Sequence, residues 1–152
     1  MDRICEPNIT AIADKERCEL EIIRSWQEEG ATVPQPYQRH LKFVLAPDRR
    51  NVPEITLTYV YLYPHSKTDL HRHDRPELIL VLAGRGKVVC GGVETDLQPD
   101  MALWIVAEEE HQLINQGSET LKLATVFVPG YRAGDLLDGI LAAAESARTG
   151  EK

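Results

Sequence analysis

His71-Arg72-His73-Asp74-Arg75-Pro76-Glu77 is the stretch that decides how this chain is read. Side chains alternate along an extended strand, so His71 and His73 leave one face together and both imidazoles can reach a single ion. Glu77 follows the short Asp-Arg-Pro connection and opens the next apolar run, where it can bring in an anionic oxygen. His111 lies beyond two further strand-like runs, and antiparallel pairing can return it to the same place. Three neutral imidazoles and a carboxylate suit one divalent transition metal ion, with Zn, Mn, Fe, Ni and Co all admissible. Octahedral coordination would leave two positions for water, substrate or dioxygen.

Outward from this stretch the chain is β-rich. Residues 41–46, 55–63, 77–82, 86–90, 102–106, 112–115 and 121–128 are short runs rich in Val, Ile, Thr and Tyr. Turn residues punctuate them: Pro47-Asp48, Pro64-His65-Ser66, Gly84-Arg85-Gly86, Gly91-Gly92, Pro99-Asp100 and Gly117-Ser118. Short strands at this spacing predict an antiparallel sandwich or barrel. Residues 55–63 are largely apolar on both faces, which predicts cover on both sides.

The period changes after Pro129. Gly134-Asp135 offers a cap, and Leu136, Leu137, Ile140, Leu141 and Ala144 form a stripe at helical spacing. A C-terminal helix over about 135–147 is expected. Residues 14–29 lack Pro and Gly, and Leu20, Ile23 and Trp26 suggest a short helix there, or a strand around 20–23.

With 152 residues the chain suits one domain, 1–152, with a barrel core at about 37–130 and a short N-terminal extension. A formal charge of −7 argues against phosphate-backbone contacts, so no nucleic-acid partner is expected. No apolar run approaches the roughly 18–20 residues of a membrane helix. The N-terminus lacks the basic and apolar regions of a signal peptide. No membrane association and a cytoplasmic location are therefore expected. Cys5, Cys18 and Cys90 are odd in number without CxxC spacing, and read as reduced thiols.

Taken together, the spacings resemble a known pattern. His71-x-His73, three residues, Glu77, six residues, Gly84, then His111, three residues, Asn115 is similar to the two-motif signature of the cupin superfamily. The resemblance covers about residues 40–130 and fills all four metal-ligand positions. It implies a double-stranded β-helix, that is, a jelly-roll barrel. The departures fall at turn positions: His65 and Asp100 stand where the motifs open with Gly, and Val106 and Glu108 stand where the second has Pro and Gly. Asp tolerates left-handed geometry, so Asp100 can replace Gly. The conformation of residues 107–110, with their three glutamates, is left open.

The resemblance also implies where a ligand would meet the protein. Parity with Glu77 turns Ile79 and Val81 inward. Tyr59 and Tyr61 occupy the strand before the first motif, where such proteins often place pocket residues, and are the expected acid or base. Arg39 and Arg75 can bind a carboxylate. Arg39 and Trp104 are the expected substrate contacts, Trp104 being equally at home in the core. His65 is expected in an exposed turn and His40 in a structural role.

The implied function is an enzyme acting on a small oxygen-rich substrate (keto acid, sugar acid or enolisable carboxylate) by Lewis-acid lyase or isomerase chemistry. A metal-dependent dioxygenase and a non-catalytic small-ligand module are the alternatives. Ile79, two residues after the metal Glu, stands where sulfonium-propionate lyases of this superfamily carry a tyrosine, and the retained Glu77 argues against thiol dioxygenases. A homodimer is expected, with a small molecule as the other partner.

Overall fold

The computed structural model describes residues 20–150. Strand β1 spans Ala31–Val33, β2 Arg39–Leu45, β3 Thr56–Leu62, β4 Ser66–Lys67, β5 Glu77–Ala83, β6 Gly86–Cys90, β7 Val93–Leu97, β8 Ala102–Ile105, β9 His111–Asn115 and β10 Leu121–Phe127, followed by helix α1, Ala133–Thr149. They form two antiparallel sheets, in the orders β1-β2-β3-β10-β5-β8 and β4-β9-β6-β7. This is the all-β double-stranded β-helix that the resemblance implies, followed by a C-terminal helix.

The period of two decides what each strand buries. Along β5, Glu77, Ile79 and Val81 are buried, while Leu78 and Leu80 are half-buried on the other face. On β9, His111, Leu113 and Asn115 point inward in the same way. The core joins Leu41, Leu62, Val81, Leu97, Leu113, Leu121 and Leu123 from both sheets. Each such side chain contributes about 1.5–3 kcal/mol through burial.

Asn115 and Gly84 fix the turns at one end of this barrel. Asn115 donates from Nδ2 to the carbonyls of Leu62 (3.0 Å) and Glu119 (2.8 Å) and accepts from the N–H of Gly117 (3.0 Å), joining the two sheets at the β9–β10 turn. Gly84 has φ +83°, and a Cβ there would lie 2.4 Å from the Thr120 carbonyl oxygen. Only glycine suits that turn.

Three strands escaped the sequence reading. β7 is exposed at four of its five residues, and β1 and β4 are only three and two residues long. The helix is longer than expected by two residues at each end. Its first N–H groups are not capped from Gly134-Asp135. Ala133 and Gly134 donate instead to the Asp48 carboxylate, at 2.6 and 3.1 Å, from the turn after β2. Of the expected element at 14–29, residues 14–19 lie outside the described residues, and the rest holds no α-helix, only a single β-bridge residue at Ile22 and a 3₁₀ turn, Ser25–Gln27. Cys5 and Cys18 also lie outside. No helix among the described residues is long and apolar enough to cross a membrane.

Candidate metal centre and cavity

The first contact of the site is made by main chain. His71 and His111 form an isolated antiparallel bridge, with N–H···O distances of 3.1 and 2.8 Å in the two directions. Residues forty positions apart in sequence are thereby placed side by side, and their ring centroids lie 4.5 Å apart. His73 lies 4.8 Å from His71 and 5.6 Å from His111 by the same measure. Glu77 arrives from the facing sheet, and its Oε2 is 3.1 Å from His111 Nε2 and 3.6 Å from His73 Nε2. One ligand atom from each of the four residues lies within 4.8 Å of all the others.

The outer atoms of two rings fix the inner ones. His71 Nδ1 is 2.8 Å from the Asp69 carbonyl, and His111 Nδ1 is 2.9 Å from the Glu109 carbonyl. A carbonyl only accepts, so each Nδ1 carries a hydrogen. In the neutral ring each Nε2 then has a lone pair for an ion, whereas the charged form of His111 donates from Nε2 to Glu77. Burial pushes His73 down to about 4, so it is neutral near pH 7. Burial also works against charge on His111, but its bonds to Glu77 and to the Glu109 carbonyl outweigh burial and leave it above the ordinary value. Glu77 is itself buried, and among the described residues its ion-pair partners are histidines, not lysine or arginine. Three imidazoles around a buried carboxylate are a donor set that a divalent cation completes, displacing any proton shared between His111 and Glu77.

The four residues line a cavity of about 380 Å³. Its apolar wall includes Phe43, Val60 and Phe127, and Leu136 and Ile140 of α1 cover one side. Tyr131, just before α1, stands on the rim. Its hydroxyl donates to the Asp74 carboxylate, Arg75 lies 3.6 Å above its ring, and Phe127 meets it edge-on at 5.1 Å. Bonds from Arg75 and Tyr131 hold Asp74 down at about 2. Burial, and then the bond to Asp74, push the Tyr131 phenol up to about 12, so it keeps its proton.

Of the residues expected to meet a ligand, Arg39 does line this cavity, with only 3 % of its surface exposed. Tyr59 and Tyr61 do not. Along β3 it is Thr56, Thr58, Val60 and Leu62 that are buried, so the tyrosines occupy the outer face, each 5.5 Å from the Lys122 ammonium. The tyrosine at the cavity is Tyr131. Trp104 is 62 % exposed on β8 and belongs neither to the core nor to the cavity wall. Arg75 gives its guanidinium to Asp74 and to the carbonyls of Pro129 and Gly130. Ile79 and Val81 are buried, as parity predicts.

His40 bonds to the Thr32 hydroxyl at 2.9 Å, and His65 sits exposed in its turn. Residues 107–110 stay outside the cavity lining. Their glutamates face Arg72 at 3.7 Å, through Glu108, and the Cys90 thiol at 3.8 Å, through Glu109. Asp69 and Tyr131 were missed, and no periodic signal marks either, since both come from irregular segments.

Residues 58–127 match the profile of the Cupin_2 family, the cupin domain. No curated protein matches the chain. Among solved structures, a protein from Thermotoga maritima described as a predicted oxalate decarboxylase aligns with a TM-score of 0.66 at 18% identity, over 72% of this chain and 99% of its own. KdgF from Halomonas sp. aligns with a TM-score of 0.57 at 21% identity, over 72% and 93%. A sugar phosphate isomerase from Silicibacter pomeroyi aligns at 0.54 and 18%, over 66% and 69%. At these identities the likeness is one of fold.

Proposed function

Because this chain belongs to the cupin superfamily, we propose that it is a metal-dependent enzyme acting on a small oxygen-rich substrate, a keto acid, sugar acid or enolisable carboxylate, by lyase or isomerase chemistry. The observation that carries this reading is the convergence of His71, His73, Glu77 and His111 within 4.8 Å inside a cavity of about 380 Å³. Two neighbouring structures described as a predicted oxalate decarboxylase and a sugar phosphate isomerase bear names of that chemical kind.

A divalent ion held by the four residues supplies Lewis acidity toward a carbonyl or carboxylate oxygen. The protein supplies the rest. Phe43, Val60, Phe127, Leu136 and Ile140 keep the space around a small substrate apolar, which strengthens polar contacts inside it. Tyr131 is the proton-carrying group. Its Oη–H stays protonated at neutral pH and donates to Asp74; with a substrate present it would turn from Asp74 to an oxygen on which charge develops, while Arg75 and Phe127 hold the ring.

The test begins with elemental analysis of untagged protein beside His73→Ala. About one transition metal ion per chain, lost in a folded His73→Ala variant, is expected. No metal, and none taken up on reconstitution, overturns the reading. Iron would send the activity search first to dioxygen chemistry, and Mn, Ni, Co or Zn to keto-acid and sugar-acid conversions. Once a substrate is found, Tyr131→Phe should lower kcat about 100-fold with metal retained, while Tyr59→Phe and Tyr61→Phe leave it unchanged.

A further inference from the structure

Arg39, the first residue of β2, brings a guanidinium into the cavity at 3 % exposure. Of the five N–H donors on a guanidinium, the described residues accept two, one through the Tyr37 carbonyl at 3.0 Å and one through Asp69 Oδ1 at 3.2 Å. The other carboxylate oxygen of Asp69 lies 3.7 Å from His71 Nδ1. A single carboxylate therefore separates the guanidinium from an imidazole of the metal centre. On β3, in the same wall, Thr58 has a buried hydroxyl oxygen with no partner among the described residues. Buried polar atoms are nearly always paired, and an orphan in a cavity wall calls for a ligand or water.

We propose that Arg39 is a second anchor for the ligand, taking a carboxylate at the end remote from the oxygens that the metal holds, with Thr58 adding a hydrogen bond. This rests on the metal-centre reading above and narrows its substrate class. The ligand is a short molecule with a chelating oxygen pair at one end and a carboxylate at the other, as in 2-hydroxy or 2-oxo dicarboxylates and sugar acids. A planar fork with unused donors accepts a second carboxylate beside Asp69, which a lysine could not do with the same geometry. The lining sets Arg39 and Arg72 against Asp69, Asp74, Glu77 and Asp135. A divalent cation offsets that excess of negative charge, so anion binding depends on the metal.

The experiment is calorimetric titration of the metal-reconstituted full chain with lactate, malate and 2-hydroxyglutarate. All three share the 2-hydroxy acid, and the last two add a second carboxylate. Wild-type protein should prefer at least one dicarboxylate over lactate by about tenfold or more. Arg39→Gln should erase most of that preference while lactate affinity and metal content hold, and Arg39→Lys should keep part of it. Arg39→Gln leaves Asp69 without its arginine, so the double variant R39Q/D69N is measured beside it and should show the same loss. No preference in wild type, or a preference that survives in R39Q, overturns the anchor. Loss of metal uptake and of lactate binding in wild type overturns the metal reading instead.

Discussion

The backbone N–H of Glu108 donates to the carbonyl of His73 across 2.7 Å, and Glu108 does so from a left-handed backbone, φ 65°. The loop before His111 is thus tied directly to the metal-ligand segment. The same strain recurs at His65 (φ 55°) and Asp100 (φ 72°), the other two positions where this chain replaces a glycine of the cupin motifs. The geometry of the motif persists where its residue does not. A non-glycine residue there costs about 1 kcal/mol. Glu108→Gly should therefore raise stability by up to about 1 kcal/mol, read as a higher urea midpoint at unchanged slope. Glu110→Gly, whose native φ is not positive, is the control and should lower the midpoint.

Thr58→Val replaces an orphan hydroxyl with a methyl of nearly the same shape. Leaving a buried hydroxyl unpaired costs about 1–3 kcal/mol, so the variant should melt higher than wild type in metal-free buffer. An unchanged or lower melting temperature would mean that the hydroxyl already has a partner, such as an ordered water.

Asp48 gives the helix a pH dependence of known sign. Burial raises its carboxyl, but the N–H bonds from Ala133 and Gly134 outweigh burial and hold it below the ordinary aspartate range. The folded protein therefore binds fewer protons there than the unfolded chain. The contribution is complete above the unfolded pKa and is lost as pH falls through the folded one. Asp48→Ala should cost about 1 kcal/mol at neutral pH, and its gap to wild type should shrink in acid melts. A gap constant down to pH 2 would remove the charge from the account.

Trp104 stands away from the cavity where a substrate contact was expected of it. On the outer face of the six-stranded sheet it stands opposite Leu78, which stands opposite Val126. Trp104 is exposed and Leu78 and Val126 are half-buried beside it, an apolar row that we propose as an interaction surface. A homodimer is expected in light scattering, and Trp104→Glu should yield folded monomer. A wild-type monomer would refute this.

The four candidate metal ligands were legible because their chemistry is sparse: three of the five histidines and one glutamate fall at spacings that strand alternation and antiparallel return can bring together. The cavity wall was not. On β3, threonine and tyrosine share the strand, and alternation says which residues lie on one face without saying which face is inside. Here the small threonines fit within the barrel and the tyrosines, with polar tips, stay half-covered outside. Tyr131 and Asp69 lie in segments whose course is set by the elements around them, so no local pattern announces either. The helix cap was hidden for the same reason, since Asp48 is 85 residues from the N–H it accepts.

Asp69 serves two masters at once: its side chain accepts from Arg39, and its main-chain carbonyl holds Nδ1 of His71. A shift that improves one of these contacts is felt at the other, because both belong to a single peptide unit and its short side chain. Ion and organic ligand would then be weighed together. Whichever arrives first changes the affinity for the second, and by reciprocity the second changes the hold on the first by the same factor.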